Sequence, residues 1–440
     1  MTADRSHRLA TRILWGLLIG VVAGVIVQVA GRFSPGFLAI CQTAADTVLD
    51  PFGQVFLRLL FFVVVPLVFS SLALGIVQLG HLSKLGPLAL RTAAFFFMNM
   101  AIGVALGLLM MNLVKPGNAL DPQVKEQLME EYGGKARDAV TTRQGQEGIT
   151  LMTLVEMLMP RNLPKSVVDS QILPLIVFAI LVGAAGTHLV ESRRRQMEDL
   201  LTMISGLMTQ IVHYALLLAP YAVPAMVFSV IVKSGLQIVV ALGVFVLACI
   251  LVMALHLFGT MSVWLKVLGR RSPIEFFGAI RAVLITAFST SSSNATLPTS
   301  IQVARDELKV SPSTAGFVLP LGATMNMSGT ALYEGCVVLF VAQIFGVDLP
   351  LGKQVTLLIL TVFSAVAVAG IPGGSLPLIA GLLMTFGVPP EGLAVIIGVD
   401  RLLDMCRTVV NVGADMVTAT IVDQQVGIAT EGATHSLEES

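Results

Sequence analysis

The chain has 440 residues, 55% hydrophobic and only 12% charged, with a mean hydropathy of +0.86 and a formal net charge of zero. A soluble domain carries about 25% charged residues, so the composition excludes an ordinary globular protein and points to a polytopic membrane protein. Zero net charge argues against nucleic acid as a partner.

The N-terminal MTADRSHRLATR is basic and leads into an apolar run at 13–30. It is similar to a signal peptide, but no small-residue cleavage site follows and many more apolar runs do. It is expected to be a retained first helix with a cytoplasmic N-terminus. A span needs about 20 apolar residues. Candidates are 12–30, 52–79, 88–114, 166–190, 201–232, 236–267, 313–345 and 391–422, with a shorter apolar piece at 150–160. Basic residues fall on one side of an up-down count: Arg5, Arg8 and Arg12; Lys84; Arg193, Arg194 and Arg195; Lys266, Arg270 and Arg271. That side is read as cytoplasmic, which puts the mixed-charge, Gly-containing loop 116–149 outside as a solvated connector.

Two segments break the pattern of simple spans. In 277–304, FGAIRAVLITAFSTSSSNATLPTSIQVA, an apolar half-helix meets STSSSN and resumes after Thr296. In 355–387 an apolar run ends in AGIPGGSLP and resumes as LIAGLLMTFG. Arms of about ten to fifteen residues reach only about 15–22 Å, and their polar middles need surroundings that satisfy freed backbone groups. Both read as re-entrant helical hairpins, and interrupted segments in two parts of a chain point to a transporter's binding site. Each hairpin is followed by an unusual helix, which suggests an inverted repeat.

The first of those helices contains TMNMSGTALYE at 324–334, with Asn, Ser and Gly inside a membrane-length run. These are poor helix formers and costly polar groups in hydrocarbon. The second contains GVDRLLDMCRTVVNVGADMVT at 398–418. Asp400, Asp404, Arg407, Thr408, Asn411 and Asp415 fall on an arc of about 100° of that helix. Intramembrane ionisable residues mark functional sites by default. Arg407 offers a planar fork for a carboxylate, Asp404 suits an ammonium, and Thr408 and Asn411 add hydrogen bonds on the same face. Arg401 can pair with Asp400 or lie at the edge of the arc. The hairpin tips present half-helix N-termini to a second carboxylate.

The four cysteines, Cys41, Cys249, Cys336 and Cys406, show no metal spacing, and neither do the six histidines. His188, His213 and His256 lie away from every motif, so no nucleophile–base pair is legible and an enzyme is not expected. No cofactor is expected either. No pore-lining ring supports the alternative of an anion channel.

In SSSNATLP (291–298), NMSGTALYE (326–334), AGIPGGS (369–375) and DxxxDxxRTxxNVxxD (400–415) the chain resembles the glutamate/aspartate transporter family, the dicarboxylate/amino-acid:cation symporters, in its bacterial branch. The resemblance covers essentially the whole chain. It implies eight transmembrane helices plus two re-entrant hairpins, an all-α elevator-type fold, a homotrimer in the bacterial inner membrane, and both termini cytoplasmic. Scaffold helices would occupy 1–85 and 150–233. The transport domain would take 86–115 and 234–425, with hairpins at about 272–304 and 352–387, and 426–440 would form a cytoplasmic tail.

The resemblance also implies roles. Arg407 and Thr330 would meet the side-chain carboxylate of an acidic amino acid, and Asp404 its amino group. Asn411 and the first hairpin tip, Ser292 and Ser293, would meet its α-carboxylate, with Thr408 beside them. The second hairpin, Ile371, Gly373 and Ser375, would gate. One sodium site would use Gly322, Asn326, Asn411 and Asp415, and another Thr324, Met327, Ala365, Val366 and Val368; hard oxygens suit such ions. The family's usual NMDGT is NMSGT here, and Asn99 and Met100 stand where the third span supplies hydroxyls. A third sodium site at Ser328, Asn99 and Met100 is therefore expected to be impaired, leaving one or two Na⁺ and/or protons as coupling ions. Glu334 is the candidate proton carrier. A second arginine usual beside the site is Ser291 or Met405 here, and Arg401 is expected to compensate. C4-dicarboxylate and cystine carriage remain open alternatives.

Overall fold

Helix is the only regular structure among the described residues, as expected where backbone groups must bond within their own segment. The computed structural model describes residues 3–82, 87–120, 125, 159–168, 172–366, 368 and 373–438. Lys84, most of the loop 116–149, the apolar piece at 150–158 and the hairpin residues 369–372, Ile371 included, lie outside them.

Helix α1 is Ala3–Gly31. Then come α2 (Pro35–Ala44), a π-helical turn (Ala45–Leu49), α3 (Asp50–Phe62) and α4 (Val64–Leu82), so the second expected span extends upstream to 35. Helix α5 is Pro87–Val114, the short α6 is Leu163–Val168, and α7 is Ile172–Thr187. Helix α8, Glu191–Ser234, begins earlier than expected. It absorbs the basic run at 193–195, because Glu191 pairs with Arg194 and with Arg195 (2.9 Å) and i,i+3 and i,i+4 pairs support a helix. Helix α9 (Gln237–Ala254) passes through a π segment (Leu255–Thr260) into α10 (Met261–Val267).

The first hairpin is built from α11 (Pro273–Ala279) and α12 (Arg281–Thr290), bent by 55° to each other, followed by α13 (Ser293–Asp306). Helices α14 (Pro312–Met325) and α15 (Ser328–Ile344) form the broken helix. The second hairpin is α16 (Leu351–Val366) and α17 (Leu376–Thr385). Helix α18, Leu393–Glu438, runs on through the expected tail.

Among the described residues, six stretches are long and apolar enough to cross a membrane: Thr11–Gly31, Pro35–Val77, Leu90–Ala119, Glu191–Lys233, Gln237–Val267 and Pro312–Ile344. Two of the eight expected spans are helical but fall short for different reasons. Helix α7 is apolar throughout but has only 16 residues, and α18 carries the charged stripe.

Burial sorts these helices. Helix α1 turns Trp15, Ile19 and Ile26 outward, each at least 60% exposed, whereas nearly all of α15 is buried. Small residues let backbones approach. On α1, a Cβ added at Gly16 would lie 2.9 Å from the Pro220 carbonyl oxygen, and one at Gly20 would lie 2.8 Å from that of Pro224, both on α8. Gly20→Ala is therefore expected to lower the melting temperature in detergent, with overpacking costing about 1–3 kcal/mol. Gly206→Ala on α8, where an added Cβ meets nothing within 4 Å, should leave it unchanged or raise it slightly.

Candidate binding site: a broken helix facing a charged one

The break between α14 and α15 falls at Asn326 (φ −97°, ψ 68°) and Met327 (φ −91°, ψ 53°). Breaking a helix frees backbone N–H groups that need partners. Asn411 on α18 supplies them: its Oδ1 accepts from Gly329 N–H (2.7 Å) and Thr330 N–H (3.2 Å). Its Nδ2 donates to Thr330 Oγ1 (3.0 Å) and reaches Met327 Sδ (3.3 Å). One turn on, Asp415 Oδ1 accepts from Asn326 Nδ2 (2.8 Å). The glycines are there for approach. A Cβ on Gly329 would collide with the Arg407 carbonyl, and one on Gly322 with the Asp415 carboxylate.

The same face of α18 carries a closed ion-pair network. Asp400, Arg401, Asp404 and Arg407 are each at most 7% exposed. Arg407 Nη1 donates to Asp400 Oδ1 (3.0 Å), while its Nε (2.9 Å) and Nη2 (2.8 Å) reach Asp404 Oδ1. The guanidinium carbon lies 4.7 Å from the Tyr333 ring centroid, a cation–π contact. Asp404 Oδ2 accepts from Arg401 Nη1 (3.2 Å) and from Gly373 N–H (3.1 Å). Arg401 thus pairs with Asp404 and not with its chain neighbour Asp400, because i,i+3 residues share a helix face and i,i+1 residues do not.

Four parts of the chain enclose a small cavity. Arg407, Asp404, Thr408 and Asn411 line it from α18, and Met327 and Thr330 from the break. Ser291 and Ser293 come from the first hairpin, and Val368, Gly374 and Ser375 from the second. Ser291 sits in the left-handed region (φ 50°) between α12 and α13. The Oγ atoms of Ser291 and Ser375 are buried without a hydrogen-bond partner among the described residues. Ser292 does not border the cavity; it caps α13, its Oγ accepting from Ala295 N–H (3.2 Å). Gly373 is present through its N–H alone.

The expected cation residues divide. Gly322, Asn326, Asn411 and Asp415 come together at the break, and Asn326 Oδ1 is buried without a partner among the described residues. A carboxylate and an uncommitted amide oxygen form a donor set that fits a hard cation. Met327 and Val368 border the cavity, with Ala365 and Val366 buried at the end of α16. Thr324 is exposed and its hydroxyl donates to Leu321 O (2.9 Å), so it is not brought in.

At the altered third position, Asn99 Oδ1 and Ser328 Oγ are buried and unpartnered among the described residues, and Met100 is fully buried. Glu334 is also fully buried, with the Ser364 hydroxyl beside its carboxyl group.

One reading is corrected. His256 does not lie away from the motifs. It sits in the π segment, fully buried, with neither ring nitrogen bonded among the described residues. His256 Nε2 and Ser328 O both lie within 3.3 Å of the point where a Cβ on Gly103 would stand. The sequence signal for it is an ionisable residue inside an apolar run. Tyr333 was also missed, since nothing in its sequence neighbourhood points it at Arg407.

A long buried helix pair with a broken turn and a neutralised charge network at a small cavity fits a membrane transporter, and comparison with known proteins agrees. The profile of the Sodium:dicarboxylate symporter family matches residues 9–425, and the chain belongs to that family. It is 31% identical over 420 residues to a proton/sodium-glutamate symport protein of Bacillus subtilis strain 168, covering 96% of this chain and 93% of the relative. It is 29% identical to the proton/glutamate-aspartate symporter of Escherichia coli K12, covering 94% and 92%. It is 26% identical to a C4-dicarboxylate transport protein of Bacillus subtilis, again covering 94% and 92%. The chain is a transporter, not an enzyme.

Asn411→Ala is expected to leave two buried N–H groups unpaired, at about 1–3 kcal/mol each. The melting temperature should fall by several degrees and substrate protection against heating should disappear.

Proposed function

We infer that the chain imports acidic amino acids, aspartate or glutamate, using Na⁺ and/or H⁺ gradients. The observation that carries this reading is Arg407 and Asp404 side by side at one cavity, with Thr408, Asn411 and two uncommitted serine hydroxyls around them. A cation and an anion so placed match a molecule bearing both a carboxylate and an ammonium group. Arg407 turns from Asp400 and Asp404 onto the side-chain carboxylate, Asp404 Oδ1 takes the ammonium, and Asn411 with the first hairpin tip takes the α-carboxylate. The second hairpin serves as the gate.

Charge balance supplies the reason for coupling. Helices α15 and α18 bury four acids, Glu334, Asp400, Asp404 and Asp415, against two arginines, Arg401 and Arg407. An acidic amino acid adds another negative charge, and uncompensated buried charge is costly. A cation at Asp415 and Asn326 and a proton on Glu334 offset it. The impaired third position then gives one or two Na⁺, with or without H⁺. We further read the chain as a trimer of the bacterial inner membrane, termini cytoplasmic, with eight spans and two re-entrant hairpins. In this reading 86–115 and 234–425 move against the scaffold as an elevator. A second reading, C4-dicarboxylate carriage, is favoured by the similarity to the C4-dicarboxylate transport protein of Bacillus subtilis.

Radiolabelled aspartate uptake in proteoliposomes, with sodium and pH gradients imposed separately, tests this. Uptake driven by at least one gradient and competed by glutamate is expected; no uptake under either gradient would sink the proposal. Glu334→Gln should abolish the response to pH and keep that to sodium. An unchanged pH response in that variant removes Glu334 from the mechanism.

A further inference from the structure

We propose that Arg401 sets the tolerance of the site for substrates that lack an amino group, an inference that rests on the transport reading above. The argument starts from the two oxygens of Asp404. Oδ1 accepts from Arg407 Nε (2.9 Å) and Nη2 (2.8 Å). Oδ2 accepts from Arg401 Nη1 (3.2 Å) and Gly373 N–H (3.1 Å). A carboxylate offers about four acceptor positions, so both oxygens are full. When Arg407 turns to a substrate carboxylate, Oδ1 alone is released, and Oδ2 keeps its arginine.

Arg401 does not border the cavity and is 7% exposed. It acts from behind Asp404 and is a positioning residue. Two consequences follow, and both point the same way. Asp404 never becomes an unpaired buried carboxylate, even when the incoming molecule brings no ammonium, so the penalty for such a molecule is reduced. An incoming ammonium meets a carboxylate already shared with Arg401, so it gains less. Together they narrow the gap between an amino dicarboxylate and a plain C4-dicarboxylate of the same length. Removing the Arg401 charge reverses both effects. A charge-assisted hydrogen bond at a buried site is worth roughly a tenfold change in affinity.

The test uses the full-length protein in proteoliposomes, with labelled aspartate uptake competed by unlabelled aspartate or succinate. In the wild type, succinate should compete within about tenfold of aspartate. Arg401→Met, which keeps most of the bulk of the side chain, should raise the succinate-to-aspartate ratio by about tenfold. The change should appear in the ratio itself, whatever maximal rate of aspartate uptake the variant retains. Arg401→Lys should restore most of the wild-type ratio; a merely structural role for the side chain would lower the maximal rate and leave the ratio alone. The ratio is internal to each protein and so is independent of how much of a variant folds. An unchanged ratio in Arg401→Met overturns the assignment. So does a wild type in which aspartate is taken up and succinate competes more than about a hundredfold more weakly, a result that needs no variant. A wild type that takes up neither solute overturns the transport reading, and this inference with it.

Discussion

The constraint on which the rest of the structure depends is the burial of unequal charge. Four carboxyl groups and two guanidinium groups lie within the packed interior of α15 and α18, where each unpaired ion is expensive. The network Asp400–Arg407–Asp404–Arg401 neutralises itself. That leaves Asp415, held by Asn326, and Glu334, fully buried beside the Ser364 hydroxyl. A site in this condition accepts a further anion only with a cation or proton alongside it. In this account coupling arises from the electrostatics of the resting site.

The broken helix is the second element of the design. Continuous helix between 312 and 344 would consume its own backbone groups. The break at Asn326 and Met327 hands two N–H groups to Asn411 and brings Thr330 to the cavity. The same Asn411 therefore fixes the geometry of α15 and borders the cavity, which ties the packing of the helix pair to the shape of the site. Gly322 and Gly329 permit the contact, since any side chain there would strike Asp415 or the Arg407 backbone.

Much of this was legible in the sequence. The polar letters in TMNMSGTALYE marked the stretch that holds the break, and the arc from Asp400 to Asp415 marked the inward face of α18, because both are conspicuous against hydrocarbon-length apolar runs. The interruptions between α12 and α13 and between α16 and α17 were legible from their Ser-rich and Pro-Gly middles. Less legible were contacts made across helices. The stacking of Tyr333 on Arg407, the caps on α15 and the nearness of His256 to Ser328 depend on rotation and register between separate helices, which no single-chain pattern encodes. Helix lengths were misjudged where charge pairs extend a helix past its apolar part, as Glu191 with Arg194 and Arg195 does at the start of α8.

The central claim is that substrate takes Arg407 away from Asp404 while the aspartate accepts its ammonium. The most direct measurement is an experimental structure of the protein in lipid with sodium and L-aspartate bound. The account predicts the Arg407 guanidinium on the substrate side-chain carboxylate, and Asp404 Oδ1 on the substrate ammonium with Oδ2 still held by Arg401. Substrate bound with both Arg407–Asp404 bonds intact, or bound away from Asn411 and Thr330, would contradict it.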